Sequence, residues 1–132
     1  MIDIRGVGDD DLVQYLETGA TGFLERVDAR ALADEVRPLW DLSRCQAAFD
    51  GSTMCGTFRS WASELTVPGG AQVSASCIAG VAVLPTHRRR GILRRFIAAE
   101  HAAARERGEA LSLLYASEYP IYGRMGYGVG TR

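Results

Sequence analysis

The chain has 132 residues, 47% of them hydrophobic and 23% charged, a balance that suits one soluble globular domain spanning 1–132. No apolar run approaches the ~20 residues of a membrane span, and residues 1–5 lack the basic-then-apolar layout of a signal peptide, so a cytoplasmic protein with no membrane partner is expected. All 15 basic residues are arginine and the net charge is −1, but residues 1–50 carry −6 and residues 51–132 carry +5, with seven arginines in the stretch 88–107. A local cluster of that kind suits a small phosphorylated ligand better than a nucleic-acid polymer.

Ile2, Ile4 and Val7 predict a short first strand. Asp9, Asp10 and Asp11 favour a helix N-terminus, where carboxylates meet the positive end of the dipole, with Leu12, Tyr15 and Leu16 on one face. Gly19 and Gly22 are expected to break that helix. A second helix is expected after Asp28, with Leu32, Val36, Leu39 and Trp40 on one stripe and Pro38 placed to end it early. Residues 44–49 read as a strand, Asp50-Gly51 as a tight turn, residues 53–67 as one long or broken strand, and Pro68-Gly69-Gly70 as the next turn. Val73, Ala75, Cys77, Ala79, Val81 and Val83 alternate with Ser74, Ser76 and Gly80, which predicts a strand with one buried side. Gly80 inside it marks a bulge or a close backbone approach, and Pro85 stops the ladder.

A helix follows over 92–107, about 24 Å long at ~1.5 Å per residue. Ile92, Phe96, Ala99 and Ala103 form its apolar stripe, with Leu93 and Ile97 beside it, and Gly108 sits where a C′ glycine belongs. Residues 111–116 read as a buried strand. Strand, helix and strand at this spacing imply a right-handed crossover between parallel neighbours. The fold class is therefore α/β (α+β), with antiparallel hairpins first and one parallel crossover later. Cys45, Cys55 and Cys77 are odd in number and form no CxxC pair, so they read as structural thiols, with neither a metal site nor a disulfide framework.

The segment 81–93 carries the chemistry: a strand ends, Arg88, Arg89, Arg90 and Gly91 follow, and a helix begins. Helix starts present unpaired N–H groups and the positive end of the dipole, a setting that suits phosphate. Gly91 lets backbone approach a diphosphate without a Cβ in the way, and guanidinium groups add charge-assisted hydrogen bonds. There is no Gly-Lys-Ser/Thr and no GxGxxG, so this is neither a Walker loop nor a Rossmann fingerprint.

Arg88-x-x-Gly91 after Val-x-Val-x-Pro resembles the pyrophosphate loop of the GNAT N-acetyltransferase superfamily, whose usual pattern is Gln/Arg-x-x-Gly-x-Gly/Ala; Leu93 departs from it at the last position. The longer run, Leu65-Thr66-Val67-Pro68-Gly69-Gly70, then 81–93, then Ala116-Ser117-Glu118-Tyr119-Pro120-Ile121-Tyr122-Gly123-Arg124-Met125-Gly126-Tyr127-Gly128, is similar to the enhanced intracellular survival (Eis) acetyltransferases. The resemblance implies a GNAT acyl-CoA N-acyltransferase fold and acetyl-CoA as acyl donor. It implies that the backbone of Val81, Ala82 and Val83 lines the pantetheine arm. It implies further that Arg88, Arg89, Arg90, Gly91, Ile92, Leu93 and Arg94 hold the phosphates, and that Ser117 and Glu118 border the thiol. Tyr122 matches the tyrosine that acts as general acid; on its residues alone it reads first as an aromatic packed beside Met125 and Tyr127.

The resemblance also implies at least one further hairpin after Gly128, so the chain reads as a domain incomplete at its C-terminus, with the strand over 111–116 left at a sheet edge. No base for the attacking amine is evident; Glu64 and Glu118 are candidates, water another. His87 reads as a loop-surface residue, and His101, sharing a face with Arg94 and Arg105, as solvent-facing. Trp40 and Trp61 read as packing residues, with Trp61 also placed to line an acceptor pocket. The expected function is an N-acetyltransferase acting on a small-molecule or lysine primary amine, the acidic N-terminal region suiting a cationic acceptor; the alternative is a truncated CoA-binding domain without turnover. Self-association is left open, and nucleic-acid binding through 88–95 is disfavoured by the acidic charge elsewhere.

Overall fold

A computed structural model describes residues 1–116 and 119–130. One five-stranded sheet runs in the order β1 (Ile2–Gly6), β2 (Cys45–Asp50), β3 (Thr53–Thr66), β4 (Gln72–Val83), β5 (Leu111–Leu114). The first three pairings are antiparallel and β4 with β5 is parallel. Helices α1 (Leu12–Gly22) and α2 (Ala29–Val36) precede β2, α3 (Ile92–Arg107) crosses from β4 to β5, and the short α4 (Tyr119–Gly123) follows. The mixed sheet and its crossover are those expected from the sequence. Two apolar clusters form the core, one containing residues of α1, α2 and β2, the other residues of α3 with Phe58 and Ile78. Among the described residues no helix is long and apolar enough to cross a membrane.

Local chemistry sets most boundaries. The Asp28 carboxylate accepts from the Ala31 N–H and starts α2. Gly51 takes φ 62° in the two-residue β2–β3 turn, where Asp50 pairs with Thr53. Gly108 takes φ 78°, its N–H bonding Arg105 O while Glu109 N–H bonds Ala104 O, the paired bonds of a Schellman end.

Three expectations are corrected. Gly19 does not break α1 but lies within it, while Gly22 is the last residue of the helix. Gly22 is small because the helix lies close on the sheet there: a Cβ would stand 2.7 Å from Ala82 Cβ, whereas one at Gly19 would make an ordinary contact, 3.6 Å from Thr57 Oγ1. The stripe of α2 is Ala29, Ala33 and Val36, with Leu32 and Trp40 partly buried, whereas Leu39 is exposed because the helix stops before Pro38. The buried face of α3 is Ile92, Phe96, Ile97, Glu100 and Ala104, rotated from the Ala99 and Ala103 stripe by a carboxylate in the core.

That carboxylate is matched. Ser76 Oγ donates to Glu100 Oε1 at 2.7 Å, and Arg107 pairs with the same oxygen. Buried Arg44 reaches Ser60 Oγ at 3.1 Å, Ser76 Oγ at 3.2 Å and Glu109 at 3.0 Å. Arg44 closes a 3-10 turn before β2 and does not begin the strand as the sequence predicts. Of the three thiols, Cys45 and Cys55 are buried and Cys77 is partly exposed.

Candidate functional site at the end of strand β4

Strand β4 is covered on both faces, so the single buried side expected from its alternation is incomplete. Ser76 and Ile78 face α3, through Glu100 and the Ile92–Phe96–Ile97 cluster respectively. Beyond them the register slips: Thr57 pairs with Ala82 and Arg59 with Ala79, leaving Gly80 and Val81 together opposite Phe58. Gly80 takes φ 61°, and Thr57 Oγ1 donates to its carbonyl at 2.9 Å. The bulge expected at Gly80 is present, and it swaps the faces. After it Val81 and Val83 pack on the α3 cluster, while Ala82 lies against α1 at Gly22.

The bulge falls just past the last β4–β5 pair, Ile78 with Leu114. Among the described residues, the strand from Ala79 to Val83 is paired on the β3 side only. Leu84 N–H donates to Cys55 O at 2.9 Å on that side. By alternation along a strand, the N–H and C=O of Val83 face the other way, into the opening that β5 leaves.

The chain then makes a 3-10 turn at Pro85–His87 and reaches α3 through Arg89 at φ 65° and Gly91 at φ 75°. Gly91 is the N-cap and provides no side-chain acceptor, so the first amides, those of Ile92, Leu93 and Arg94, start the helix uncapped. Because α3 leads from β4 to its parallel neighbour, this start stands at the C-terminal ends of both strands, beside the opening. The side chains of Ile92 and Leu93 pack in the core cluster, so what these two positions offer the opening is backbone. Arg88, Arg89, Arg90 and Arg94 are exposed. Arg90 lies 3.6 Å from Asp50 Oδ2, and Arg95 donates to the Ile2 carbonyl at 2.7 Å.

His87 is not a surface residue as expected. Its side chain is 13% exposed, Nε2 donates to Asp50 Oδ2 at 3.0 Å, and Nδ1 lies 2.7 Å from Thr86 Oγ1. The hydrogen bond from His87, reinforced by the N-terminal amine and Arg90, holds the Asp50 carboxyl below its ordinary range. His101 also turns inward: Nε2 meets Tyr127 OH at 2.9 Å, and the same phenol meets Ser112 Oγ at 2.5 Å. Tyr127 in turn stands edge-on to the Tyr122 ring, 6.1 Å between centroids, and Tyr122 packs against the same cluster as Val81, Val83 and Leu93. Residues 81, 83, 92, 93 and 122 are thus brought together around one core. Ser117 and Glu118 lie outside the described residues.

Glu64 stands elsewhere. It pairs with Ser74 near the start of β4, nine residues before Val83, so roughly 25–30 Å of strand separates it from the opening and it is no base there. Arg59 stacks over Trp40 at 4.2 Å and Trp61 at 4.9 Å, which accounts for both tryptophans. On the other side of the opening, Gly22 against Ala82 brings the end of α1 to β4, followed by exposed Phe23, Leu24 and Val27.

A five-stranded mixed sheet with a parallel β4–α3–β5 crossover and a bulge that parts the two parallel strands is the GNAT acyltransferase fold. Residues 3–130 match the acetyltransferase (GNAT) domain, and the chain belongs to that family. A Streptomyces griseus protein named "Uncharacterized N-acetyltransferase" is 47% identical over 129 residues, covering 96% of this chain and 31% of its own. N-acetyltransferase Eis of Mycobacterium tuberculosis is 43% identical over 81 residues, 61% of this chain and 20% of its own. The crystal structure of Eis1 from Mycobacterium abscessus matches with a TM-score of 0.86 at 32% identity, over 99% of this chain and 32% of that one. The chain spans about a third of the length of the Streptomyces griseus and Mycobacterium abscessus proteins.

Proposed function

We propose that this domain takes the acetyl group of acetyl-CoA and transfers it to a primary amine. The observation that carries the reading is the coincidence of two unmet backbone surfaces at one place. The edge of β4 loses its partner after Ile78, and the start of α3 beside it is uncapped and fronted by exposed Arg88 and Arg89. An extended pantetheine arm suits the free edge, as an added strand would, and the diphosphate suits the helix start. Arg94, in the first turn of the helix, adds charge.

The transfer needs few protein groups. The amine lone pair attacks the thioester carbonyl, the new C–N bond forms, and the C–S bond breaks to release the thiolate. In this reading Tyr122 OH gives its proton to the departing sulfur; a phenol near pKa ~10 and a thiol near ~8.5 are matched closely enough for that exchange. The proton lost by nitrogen passes to water. Exposed Phe23, Leu24 and Val27 form the apolar wall opposite β4, and the −6 charge of residues 1–50 favours a cationic acceptor, a polyamine, an aminoglycoside or a protein lysine.

Calorimetry with CoA and 3′-dephospho-CoA, followed by a thiol-release assay over a panel of amines, tests the reading. Tyr122→Phe should lower kcat by about 100-fold or more while CoA affinity stays near that of the parent. Equal turnover in the two proteins would remove Tyr122 from the mechanism. CoA binding with no acetylation of any amine would leave a CoA-binding domain without turnover.

A further inference from the structure

The turn from β4 to α3 is tied to the rest of the molecule by a residue 38 positions before Arg88. Asp50 ends β2 at a two-residue turn, so its Cα is fixed by the hairpin. Its Oδ2 accepts from His87 Nε2 at 3.0 Å and lies 3.6 Å from Arg90. A carboxylate only accepts, so His87 presents Nε2–H to it, and in the neutral ring Thr86 Oγ1 then donates to Nδ1 at 2.7 Å. One carboxylate therefore fixes two residues of the turn, and one of them fixes a third.

This turn needs fixing. Arg89 holds φ 65°, a left-handed conformation that an L side chain adopts at a cost, and Gly91 repeats it at 75°. Strained backbone persists where surrounding contacts over-determine it. The anchored groups also divide the arginines. Arg90 is drawn back toward Asp50 and Arg95 to the Ile2 carbonyl, while among the described residues neither Arg88 nor Arg89 forms an ion pair with an acidic group.

We propose that Asp50 is a positioning residue for the donor: through His87 and Arg90 it presets the turn so that the amides at the start of α3 meet the diphosphate already oriented. This rests on the reading that the diphosphate sits on that turn. Preset geometry reduces the ordering cost of binding. The bland alternative is that Asp50 only neutralises a basic surface. The two make opposite predictions. A carboxylate beside a phosphate site is electrostatically adverse, so removing it should tighten CoA binding if charge is its only effect. Removing an anchor should weaken it.

Calorimetry on the full chain decides, with CoA as ligand and pantetheine, which has no diphosphate, as control. Asp50→Ala should weaken CoA about tenfold, the scale of one hydrogen bond to a charged group, and leave pantetheine unchanged. Asp50→Glu should recover most of the loss. His87→Ala, which leaves the carboxylate in place, should weaken CoA in the same direction. Unchanged or tighter CoA binding by Asp50→Ala overturns the inference, as does unchanged binding by His87→Ala. If the parent chain binds CoA no better than pantetheine, the diphosphate reading itself falls and the inference with it.

Discussion

Leu24 ends α1 in a place that usually falls to glycine. Its N–H bonds Thr21 O at 3.1 Å, Glu25 N–H bonds Ala20 O at 2.8 Å, and its φ is 57°, so it occupies the C′ position of a Schellman end with a branched side chain. At 90% exposure the side chain recovers almost nothing by packing. Leu24→Gly should therefore raise stability by about 0.5–1 kcal/mol, the left-handed cost of an L residue less the extra entropy glycine loses on folding. The midpoint of urea denaturation measures it, and a lower midpoint would mean that the leucine packs in solution.

At the scale of the element, the bulge in β4 decides what the strand can do. It turns residues 79–83 from the β5 ladder and exchanges the faces on which Val81 and Ala82 lie. Gly80→Ala has room, since the nearest atoms to the added Cβ are Tyr15 Oη at 3.9 Å and Arg59 Cβ at 4.0 Å; the obstacle is φ 61°. We expect a loss of about 1–2 kcal/mol in thermal denaturation, with CoA affinity falling alongside as the strand relaxes toward regular pairing. Gly80 was legible in the sequence because an isolated glycine in an alternating run has few other uses. The β2–β3 turn, the full span of α3 and its Gly108 end were legible for similar local reasons. The run of α1 past Gly19 to Gly22 was not, because the helix is held there by packing against the sheet, with Gly22 on Ala82, which local pattern does not contain. Nor was the buried face of α3, since Glu100 becomes a core residue only once Arg44, Ser76 and Arg107 arrive from distant parts of the chain. The candidate site divides in the same way: its backbone donors follow from the strand–arginine–glycine–helix order, whereas the Asp50–His87 contact spans 37 residues and has no sequence signature.

For the whole molecule, the equivalent of a keystone is ionic. Arg44 before β2, Ser60 on β3, Ser76 on β4, Glu100 and Arg107 on α3 and Glu109 before β5 share one hydrogen-bonded cluster. It sits at the end of β4 away from the opening, so the sheet is clamped where the parallel pair is closed and left unpaired where it parts. Burial works to raise the Glu109 carboxyl, but hydrogen bonds from Arg44 and Arg107 outweigh it and hold the group below its ordinary value of 4.5. A carboxyl depressed in the folded state stabilises fully above the unfolded pKa, and the contribution fades as pH falls through the folded one. Glu109→Gln should therefore cost about 2–3 kcal/mol at pH 7, less than breaking an isolated buried pair because Glu100 still faces both arginines. The gap between parent and variant should hold down to about pH 4.5 and close below it. Urea denaturation of the two proteins across that range measures the gap directly, and the difference reports Glu109 together with the response of Glu100, which shares its arginines. A gap that persists unchanged well below pH 4 would mean that Glu109 acts through packing and not through its charge.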